Sequence, residues 1–401
     1  MQSMPHGQPG FQTRSIHGQE PPDPSGALPA PIYMTSTYAF DTLSEAAAVL
    51  AGESDRYIYG RQHNPTQTIL ENRLAALEGA QAAVATACGM GAISSALLSL
   101  LAAGDEIVVH HTMYTNAMML LDEGLPRLGI KVVKANLLDP EALERAVTRH
   151  TKLVYFESLV NPSVDVLDIA ALSTIAHQAG ARVMVDATFV SPALQRPLEH
   201  GADIVIHSLT KYINGHGDLL GGAVLGDSAT IGRIRDIGLK YMTGSTLSPI
   251  NCFLVLRGLK TLSLRMSQHG RSALRIAQML QAHPAVRLVR YPFLQEDPGH
   301  AVAVKQMKHG SGMLSFELKT GAQGAHRMID RLKLIKCAVS LGDIESLITQ
   351  PGALLAGRQK VEPKARLNPG VSMDLIRLSV GLEDVEDLLA DLEEALRHTG
   401  Q

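Results

Sequence analysis

The sequence has no tryptophan, only three cysteines and 4% aromatic residues. The small number of cysteines argues against a disulfide-rich secreted protein. Cys88, Cys252 and Cys337 are widely spaced, which favours reduced thiols over a disulfide framework and predicts a cytoplasmic protein. No window reaches about 18 uninterrupted apolar residues, so we expect no membrane span. No basic segment followed by an apolar stretch opens the chain, so we also expect no signal peptide.

An excess of charge of one sign is missing as well. The 36 basic and 39 acidic residues leave a net charge of −3, which gives no electrostatic reason to expect nucleic acid or an anionic membrane as a partner. What the chain does have is 401 residues, 45% of them hydrophobic, and this is enough to build two domains.

Residues 1–62 are predicted to form an arm and not a domain. Prolines between positions 21 and 31 prevent regular structure over much of this segment. The arm nevertheless concentrates aromatic side chains, namely Tyr33, Tyr38, Phe40, Tyr57 and Tyr59. An aromatic-rich segment without a core of its own should bury itself elsewhere, and we expect a partner subunit. Asn64 or Thr66 then caps a predicted helix that ends at Gly79.

Between residues 80 and 226, short apolar runs alternate with segments of helix length. The apolar runs are 82–87, 107–109, 132–133, 153–156, 183–185, 204–206 and 223–225. The helical segments are 92–103, 117–128, 140–149 and 169–179. This alternation predicts an α/β fold with a mostly parallel sheet covered on both faces. Ligands of such sheets bind beyond the carboxyl ends of the strands.

A lysine preceded by two hydroxyl residues follows one of these predicted strands. Ser208, Thr210 and Lys211 lie just past the apolar run 204–206, after His207. A lysine amine condenses with an aldehyde only when it is neutral, and burial at a strand end lowers its pKa. We interpret Lys211 as the Schiff-base lysine of pyridoxal phosphate, with Ser208 and Thr210 hydrogen-bonded to the phosphate. Taken alone, the segment would favour a solvated basic turn, so the rest of the chain has to support the cofactor interpretation.

Three other strand ends favour the cofactor hypothesis. Gly89 and Met90 open a predicted helix, where glycine and free N–H groups admit an anion, although a tight turn would look the same. Tyr114 follows the next strand and could stack on a pyridine ring or be a half-buried aromatic. Asp186 ends a buried strand, where it could hold a protonated pyridine nitrogen or cap a turn. Together the four strand ends predict a pyridoxal-phosphate site.

Other ligand classes find no support in the sequence. The pattern of a nucleotide-binding P-loop does not occur around these glycines. No set of His, Cys and carboxylate residues has zinc-site spacing, so no metal is expected. Beyond residue 256 the chain predicts a smaller α/β domain with strands at 313–318 and 375–380. A helical stripe of core leucines follows in the last segment.

With these residues identified, the sequence resembles the Cys/Met-metabolism family of pyridoxal-phosphate enzymes over nearly its whole length. The segments that carry the resemblance are 57–61, 89–90, 185–186, 207–212, 340–347 and 377–384. The family includes methionine and cystathionine gamma-lyases, cystathionine beta-lyases, gamma-synthases and homoserine-ester sulfhydrylases. The resemblance implies an aminotransferase-like, fold type I enzyme with an arm at 1–62, a cofactor-binding large domain at 63–256 and a small domain at 257–401.

The resemblance also implies the roles of individual residues. The phosphate would be held by Gly89, Met90, Ser208 and Thr210, joined by Tyr59 and Arg61 of a neighbouring subunit. Lys211 would move protons on the substrate, and Tyr114 would stack on the ring and protonate the departing γ-group. Asp186 would pair with the pyridine nitrogen. Arg377 with Ser340 would bind the substrate carboxylate, and Asn161 would line the substrate pocket. A homotetramer built from two catalytic dimers is implied as well.

The reaction is harder to choose, because one fold hosts several chemistries. Asp343 and the Tyr114 region favour gamma-lyases like the methionine enzyme. Departures from that enzyme's pattern place Asn116, Tyr241 and Arg358 where a more polar γ-substituent would be bound. We therefore predict a gamma-lyase that acts by α,γ-elimination on methionine, cystathionine or a polar homoserine derivative such as canavanine. Its products would be the γ-group with 2-oxobutanoate and ammonia, or homoserine.

Three alternatives remain open at this point. A γ-replacement enzyme, either an O-acyl-homoserine sulfhydrylase or a cystathionine gamma-synthase, would need an activated homoserine ester and a nucleophile. A cystathionine beta-lyase would use the same scaffold. A non-catalytic relative would bind the cofactor without turnover.

Overall fold

The seven apolar runs of residues 80–226 form the seven strands of one sheet. In the computed structural model, which describes residues 9–18, 23, 25–360, 371–397 and 399, the strands are β1 Ala82–Thr86, β2 Glu106–His110, β3 Lys131–Ala135, β4 Thr151–Glu157, β5 Arg182–Asp186, β6 Ile204–His207 and β7 Gly222–Gly226. Their order is β1-β7-β6-β5-β4-β2-β3. Neighbours from β6 to β3 are parallel, and only β7 pairs antiparallel, with β1 and β6. The predicted mostly parallel sheet is confirmed.

Helices cover this sheet on both faces, as its two-sided apolar strands require. The helices of the chain up to residue 233 are two in the arm, α1 Phe11–Ile16 and α2 Leu43–Leu50, followed by α3 Pro65–Glu78, α4 Gly89–Leu100, α5 Thr115–Met119, α6 Pro140–Ala146, α7 Ile169–Gln178, α8 Ser191–Leu194 and α9 Ser228–Arg233. On β2, Ile107 and Val109 pack in one apolar cluster with α4, while Val108 packs in another with α6 and α7. Successive strand residues point to opposite faces, so both faces are buried.

The helix after the arm has the start and end that the sequence predicts. Of the two candidate caps, Asn64 is the one observed, and its side-chain oxygen accepts the N–H of Thr66 at 2.9 Å. Pro65 occupies the first turn, where no intrahelical N–H is needed. Gly79 ends the helix with φ of 81°, a left-handed conformation that glycine adopts without a steric penalty.

The predicted helix at 117–128 is a compound element. It begins as α5, continues as a π-helical turn at Leu120–Gly124 and ends as a 3-10 turn at Leu125–Leu128. Pro126 has no N–H to donate back into a regular helix, so the segment tightens where the proline enters. A longer π-helical stretch, Ile234–Thr243, follows α9.

A second sheet of five strands lies in the C-terminal part of the chain. Its strands are β8 Val286–Arg290, β9 Met313–Leu318, β10 Lys336–Cys337, β11 Leu347–Thr349 and β12 Ile376–Ser379, in the order β10-β11-β12-β9-β8. The helices of this part are α10 Pro249–Leu259, α11 Leu262–Ala282, α12 His300–Gln306, α13 Gly321–Arg331, α14 Pro351–Gln359 and α15 Val385–Leu396. The predicted strands at 313–318 and 375–380 correspond to β9 and β12. The leucine stripe of α15 is buried in the core of this part, as predicted.

The arm is attached to the rest of the chain at α3. Arg73 donates to the backbone oxygen of Ser15 at 3.0 Å, and Arg14 donates to that of Ala76 at 2.6 Å. Between these anchors and α3, large apolar side chains face solvent in this single chain: Leu28, Met34, Leu43 and Leu50. The expected boundary between residues 256 and 257 lies inside α10. Within the described residues, no helix is both long and apolar enough to cross a membrane.

Candidate active site

Four strands of the large sheet deliver polar side chains to one edge. Tyr114 follows β2, Glu157 ends β4, Asp186 ends β5 and Lys211 lies four residues past β6. These strands are mutually parallel, so their carboxyl ends share this edge. The site therefore lies where the alternating pattern of the sequence predicts it.

Lys211 is directed toward the second sheet. Its Nζ donates to the Oγ of Ser340 at 2.5 Å. Burial, and next the positive charge of Arg377, lower the pKa of Lys211 to about 8. Ser340 holds its position in a left-handed backbone conformation, with φ of 89°. The lowered pKa makes a larger fraction of the amine neutral at pH 7 than an ordinary lysine has, and the neutral form is the nucleophile toward an aldehyde.

The candidate phosphate pocket lies at the start of α4, beside Ser208. A Cβ added to Gly89 would lie 3.0 Å from the Cβ of Ser208, and one added to Gly222 would lie 2.3 Å from the backbone oxygen of Cys88. Met90 follows Gly89 in the first turn of α4, whose N–H groups have no partner within the helix. Thr210 accepts the N–H of Gly221 at 3.0 Å. Glycine at these two positions lets the start of α4, Ser208 and β7 lie this close together, and the helix start favours an anion.

Asp186 is linked to the same pocket through Thr188. Its carboxylate accepts the backbone N–H of Thr188 at 2.9 Å, and the hydroxyl of Thr188 accepts the N–H of Ser208 at 2.8 Å. Removal from bulk water raises the pKa of Asp186 above its ordinary value. A protonated ring nitrogen beside it would offset that cost.

Glu157 is a site residue that the sequence analysis missed. It is paired in register with Asp186, and its two oxygens accept the backbone N–H groups of Tyr114 and Asn161, each at 2.7 Å. Burial, and next the charge of Asp186, raise the pKa of Glu157 to about 8. The sequence contained a signal, because an acidic residue ends the apolar run 153–156 just as Asp186 ends its own run.

Arg377 comes from β12 of the second sheet and faces this edge. Its guanidinium donates to the side-chain oxygen of Asn161 at 2.9 Å and to the backbone oxygen of Ser340 at 3.0 Å. Burial lowers the pKa of Arg377 to about 10, so the group remains a cation at neutral pH. A buried guanidinium with fixed neighbours is a suitable partner for a substrate carboxylate.

Two of the three residues that depart from the methionine-lyase pattern form a chain of contacts that ends at Tyr114. The side-chain amide of Asn116 donates to the hydroxyl of Tyr114 at 2.8 Å, and Arg358 donates to the amide oxygen of Asn116 at 3.5 Å. Tyr241 does not join this network among the described residues. It is 72% exposed, and the Nζ of Lys240 lies 5.1 Å from its ring centroid.

Tyr59 and Arg61 lie on the arm and contact the large domain elsewhere. Arg61 donates to the backbone oxygen of Lys240 at 2.6 Å, and its guanidinium carbon lies 5.5 Å from the ring centroid of Tyr59. Within one chain, the structure gives neither residue a hydrogen bond to Ser208 or Thr210 among the described residues. Nor do those residues contain a group of three or more His, Cys, Asp or Glu side chains able to hold a metal ion.

The residues present fit pyridoxal phosphate part by part. A neutral amine suits the aldehyde, a glycine-lined helix start suits the phosphate, and a carboxylate at the neighbouring strand end suits the ring nitrogen. The two-sheet fold with a lysine after β6 and this donor set define the class: a fold type I pyridoxal-phosphate enzyme.

Comparison with known proteins gives the family. Residues 12–397 match the model of the Cys/Met metabolism PLP-dependent enzymes. The chain is 46% identical to L-methionine gamma-lyase of Pseudomonas putida, over 97% of this chain and 98% of that protein. It is 41% identical to O-succinylhomoserine sulfhydrylase of Pseudomonas aeruginosa, over 96% and 95%. The solved structure of metB from Corynebacterium glutamicum superposes with a TM-score of 0.90 at 37% identity, covering 97% of this chain and 98% of that one.

The chain therefore belongs to the Cys/Met-metabolism family of pyridoxal-phosphate-dependent enzymes. This confirms the resemblance, the fold class and the cofactor expected from the sequence.

Proposed function

We propose that the protein is a gamma-lyase that cleaves the bond between Cγ and its substituent in a γ-substituted amino acid. The products are the γ-group, 2-oxobutanoate and ammonia, or homoserine where water adds at Cγ. The observation that carries this proposal is the chain of contacts from Lys211 through Ser340 to Arg377, which places a proton-transferring amine next to a carboxylate-binding cation. Similarity to L-methionine gamma-lyases at 46% and 45% identity supports it.

Each residue of the site has one task in this proposal. Bound pyridoxal phosphate supplies the electron sink for charge that develops at the substrate carbons. Lys211, in its neutral form, takes the proton from Cα and moves it on, and a proton is then lost from Cβ so that the γ-group can leave. Arg377 binds the α-carboxylate, and its own orientation is fixed by Asn161 and Ser340. Tyr114 gives the proton of its hydroxyl to the departing γ-group.

The remaining contacts of the chain hold the cofactor. Asp186 keeps the proton on the ring nitrogen. We propose that Gly89, Met90, Ser208 and Thr210 donate to the phosphate from this chain. Tyr59 and Arg61 of a neighbouring subunit complete the phosphate site, because a guanidinium binds phosphate bidentately.

The γ-substituent is proposed to be polar. The Asn116 amide lies beside the Tyr114 hydroxyl, and the Arg358 guanidinium donates to that amide. An amide and a guanidinium hydrogen-bond to nitrogen or oxygen better than to a thioether. Oxygen-linked homoserine derivatives such as canavanine, and cystathionine, whose γ-substituent carries an ammonium and a carboxylate beyond its sulfur, are therefore expected to be better substrates than methionine. Tyr241 is proposed to act at the entrance of the same pocket, from its exposed position.

Product analysis tests the proposal. The purified enzyme is given methionine, cystathionine, canavanine or O-acetylhomoserine, and 2-oxobutanoate, homoserine and pyruvate are measured. The gamma-lyase proposal predicts 2-oxobutanoate or homoserine from at least one substrate without an added nucleophile. Pyruvate from cystathionine would instead identify a beta-lyase.

The second candidate is a γ-replacement enzyme, and the similarity to sulfhydrylases at 41% and 37% identity favours it. It is tested with O-acetylhomoserine or O-succinylhomoserine in the presence and absence of sulfide. Turnover that requires both the ester and sulfide, or the ester and cysteine, would replace the gamma-lyase proposal with a sulfhydrylase or a gamma-synthase.

We further propose the assembly and its location. Three units, 1–62, 63–256 and 257–401, serve as arm, cofactor-binding domain and small domain. Exposed apolar side chains of the arm such as Leu28 and Met34 support burial against a neighbouring subunit. Two catalytic dimers would form a tetramer.

Three cysteines without a disulfide support a cytoplasmic enzyme.

A further inference from the structure

The carboxylate of Glu157 joins two loops that carry different parts of the site. Its Oε1 accepts the N–H of Tyr114 from the loop after β2, and its Oε2 accepts the N–H of Asn161 from the loop after β4. Both bonds are 2.7 Å long, at the short end for this type of bond. Tyr114 and Asn161 have no direct bond to each other in the described residues, so their separation depends on Glu157.

From Asn161 the network continues to the cation of the second sheet. The side-chain oxygen of Asn161 accepts from Arg377, and Arg377 in turn donates to the backbone of Ser340. A displacement of the Asn161 backbone would therefore move one of the two acceptors that orient Arg377. Glu157 itself touches neither the Arg377 guanidinium nor Lys211 by any hydrogen bond among the described residues.

Glu106, a buried acid far from the site, has a different environment from Glu157. Glu106, which is 2% exposed at the opposite end of the sheet, pairs with Lys131 and also accepts from Thr148 and Thr151. Glu157 is 5% exposed and has no ion pair within 4 Å in the described part of the chain. A buried carboxylate without a bonded cation costs stability, so its presence points to a requirement for two acceptor oxygens at one place.

We propose that Glu157 is a positioning residue, whose two oxygens fix the separation between the ring-stacking Tyr114 and the carboxylate-binding Arg377. Cofactor stacking and substrate-carboxylate binding are thereby set by one side chain that contacts neither ligand. This inference rests on the roles proposed above for Tyr114 and Arg377.

The test compares two substitutions of equal size. Glu157→Gln leaves one acceptor oxygen and turns an NH2 group toward a backbone N–H, so one loop loses its support. Glu106→Gln removes a buried charge of similar exposure far from the site. The measurements are made at about pH 9, where Glu157 is largely ionised and both oxygens can accept. They are KM and kcat with the best substrate, and the visible circular dichroism of the bound cofactor without substrate, which reports how the ring is held.

We expect Glu157→Gln to raise KM about tenfold, in line with loss of a buried hydrogen bond to a charged group, and to weaken the dichroism. Glu106→Gln should change neither, whatever it does to the melting temperature. In an Asn161→Ala background, Glu157→Gln should raise KM by less than about twofold further, because its path to Arg377 is already broken. It should still weaken the dichroism, because the Tyr114 contact is separate.

Unchanged KM and dichroism in Glu157→Gln, or the same changes in Glu106→Gln, would overturn the proposal. Additive effects on KM in the double variant would overturn it too. If Glu157→Gln does not fold, Glu157→Asp carries the same test, because its shorter side chain cannot reach both N–H groups. Failure of the wild-type enzyme to turn over any substrate would reject the proposed function instead, and the dichroism would still test Glu157.

Discussion

Lys211 shows how a single residue acquires its chemistry from its surroundings. Its ordinary pKa would leave about one amine in three thousand neutral at pH 7, whereas a pKa of about 8 leaves about one in ten. The main cause is burial, and the second is the charge of Arg377, which also makes the amine less basic. The same cation thus serves the substrate carboxylate and the lysine.

The lowered pKa of Lys211 sets the pH at which cofactor attaches to the apoenzyme. Only the neutral amine attacks an aldehyde, so attachment should rise with pH and level off above about pH 8 and not near pH 10.5. Arg377→Met removes a nearby positive charge, stabilises the protonated amine and should move the midpoint upward. The measurement is the rate of appearance of the bound-cofactor absorbance between pH 6 and 10.

Arg271→Met is the control for this prediction. Arg271 is exposed on α11 and bonds only to neighbouring side chains of its own helix among the described contacts. Its loss changes the net charge equally but should leave the midpoint where it is. A midpoint that does not move in Arg377→Met would show that this arginine does not set the basicity of Lys211.

At the scale of elements, α4 depends on close packing against the π-helical stretch 234–243. A Cβ added to Gly238 would lie 2.1 Å from the backbone oxygen of Ser95 on α4, a distance that no side chain can occupy. Because α4 also presents Gly89 to the cofactor pocket, the position of the phosphate site depends on this contact.

A matched pair of glycine substitutions tests that dependence. Gly238→Ala should lower the free energy of unfolding by about 1–3 kcal/mol, the usual cost of overpacking, and weaken cofactor binding. Gly232→Ala lies in α9 with no atom within 4 Å of the new Cβ, and it should raise stability by about 0.4–1 kcal/mol. Urea unfolding and titration of the apoenzyme with cofactor give both values. Equal changes in the free energy of unfolding and in cofactor affinity for the two variants would contradict the dependence of the phosphate site on the packing of α4.

At the scale of the whole molecule, the question is whether one chain can complete a site. Arg61 donates to the backbone of Lys240 within its own chain, yet it is proposed to bind the phosphate of a neighbouring subunit. The exposed apolar residues of the arm are consistent with such an exchange.

Mixing two inactive variants tests this sharing. Arg61→Ala and Lys211→Ala chains should each be nearly inactive. Dimers that contain one of each regain one intact site, so random mixing should restore about a quarter of the wild-type sites. Activity after co-refolding is the measurement, and the double variant Arg61→Ala, Lys211→Ala mixed with Arg61→Ala is the control. No recovery in the first mixture would place Arg61 in the site of its own chain.

The sequence by itself determined the large sheet and most of its edge. Short apolar runs between helices force parallel strands, and parallel strands bring their carboxyl ends together. The residues that follow those runs, Tyr114, Asp186 and Lys211, were therefore predictable from local pattern. Glu157 follows the same rule and was predictable by it, although it was missed.

Only the tertiary structure decided which distant residues complete the site. Asn161 and Arg377 are 216 positions apart, and Lys211 and Ser340 are 129 apart. Both bonds depend on how the second sheet packs against the first, and this packing leaves no periodic signal in the sequence. The same holds for the exact partner of Arg358 and for the exposed position of Tyr241. Local periodicity specifies the faces of strands and helices, whereas contacts between sheets are specified only by the packed chain.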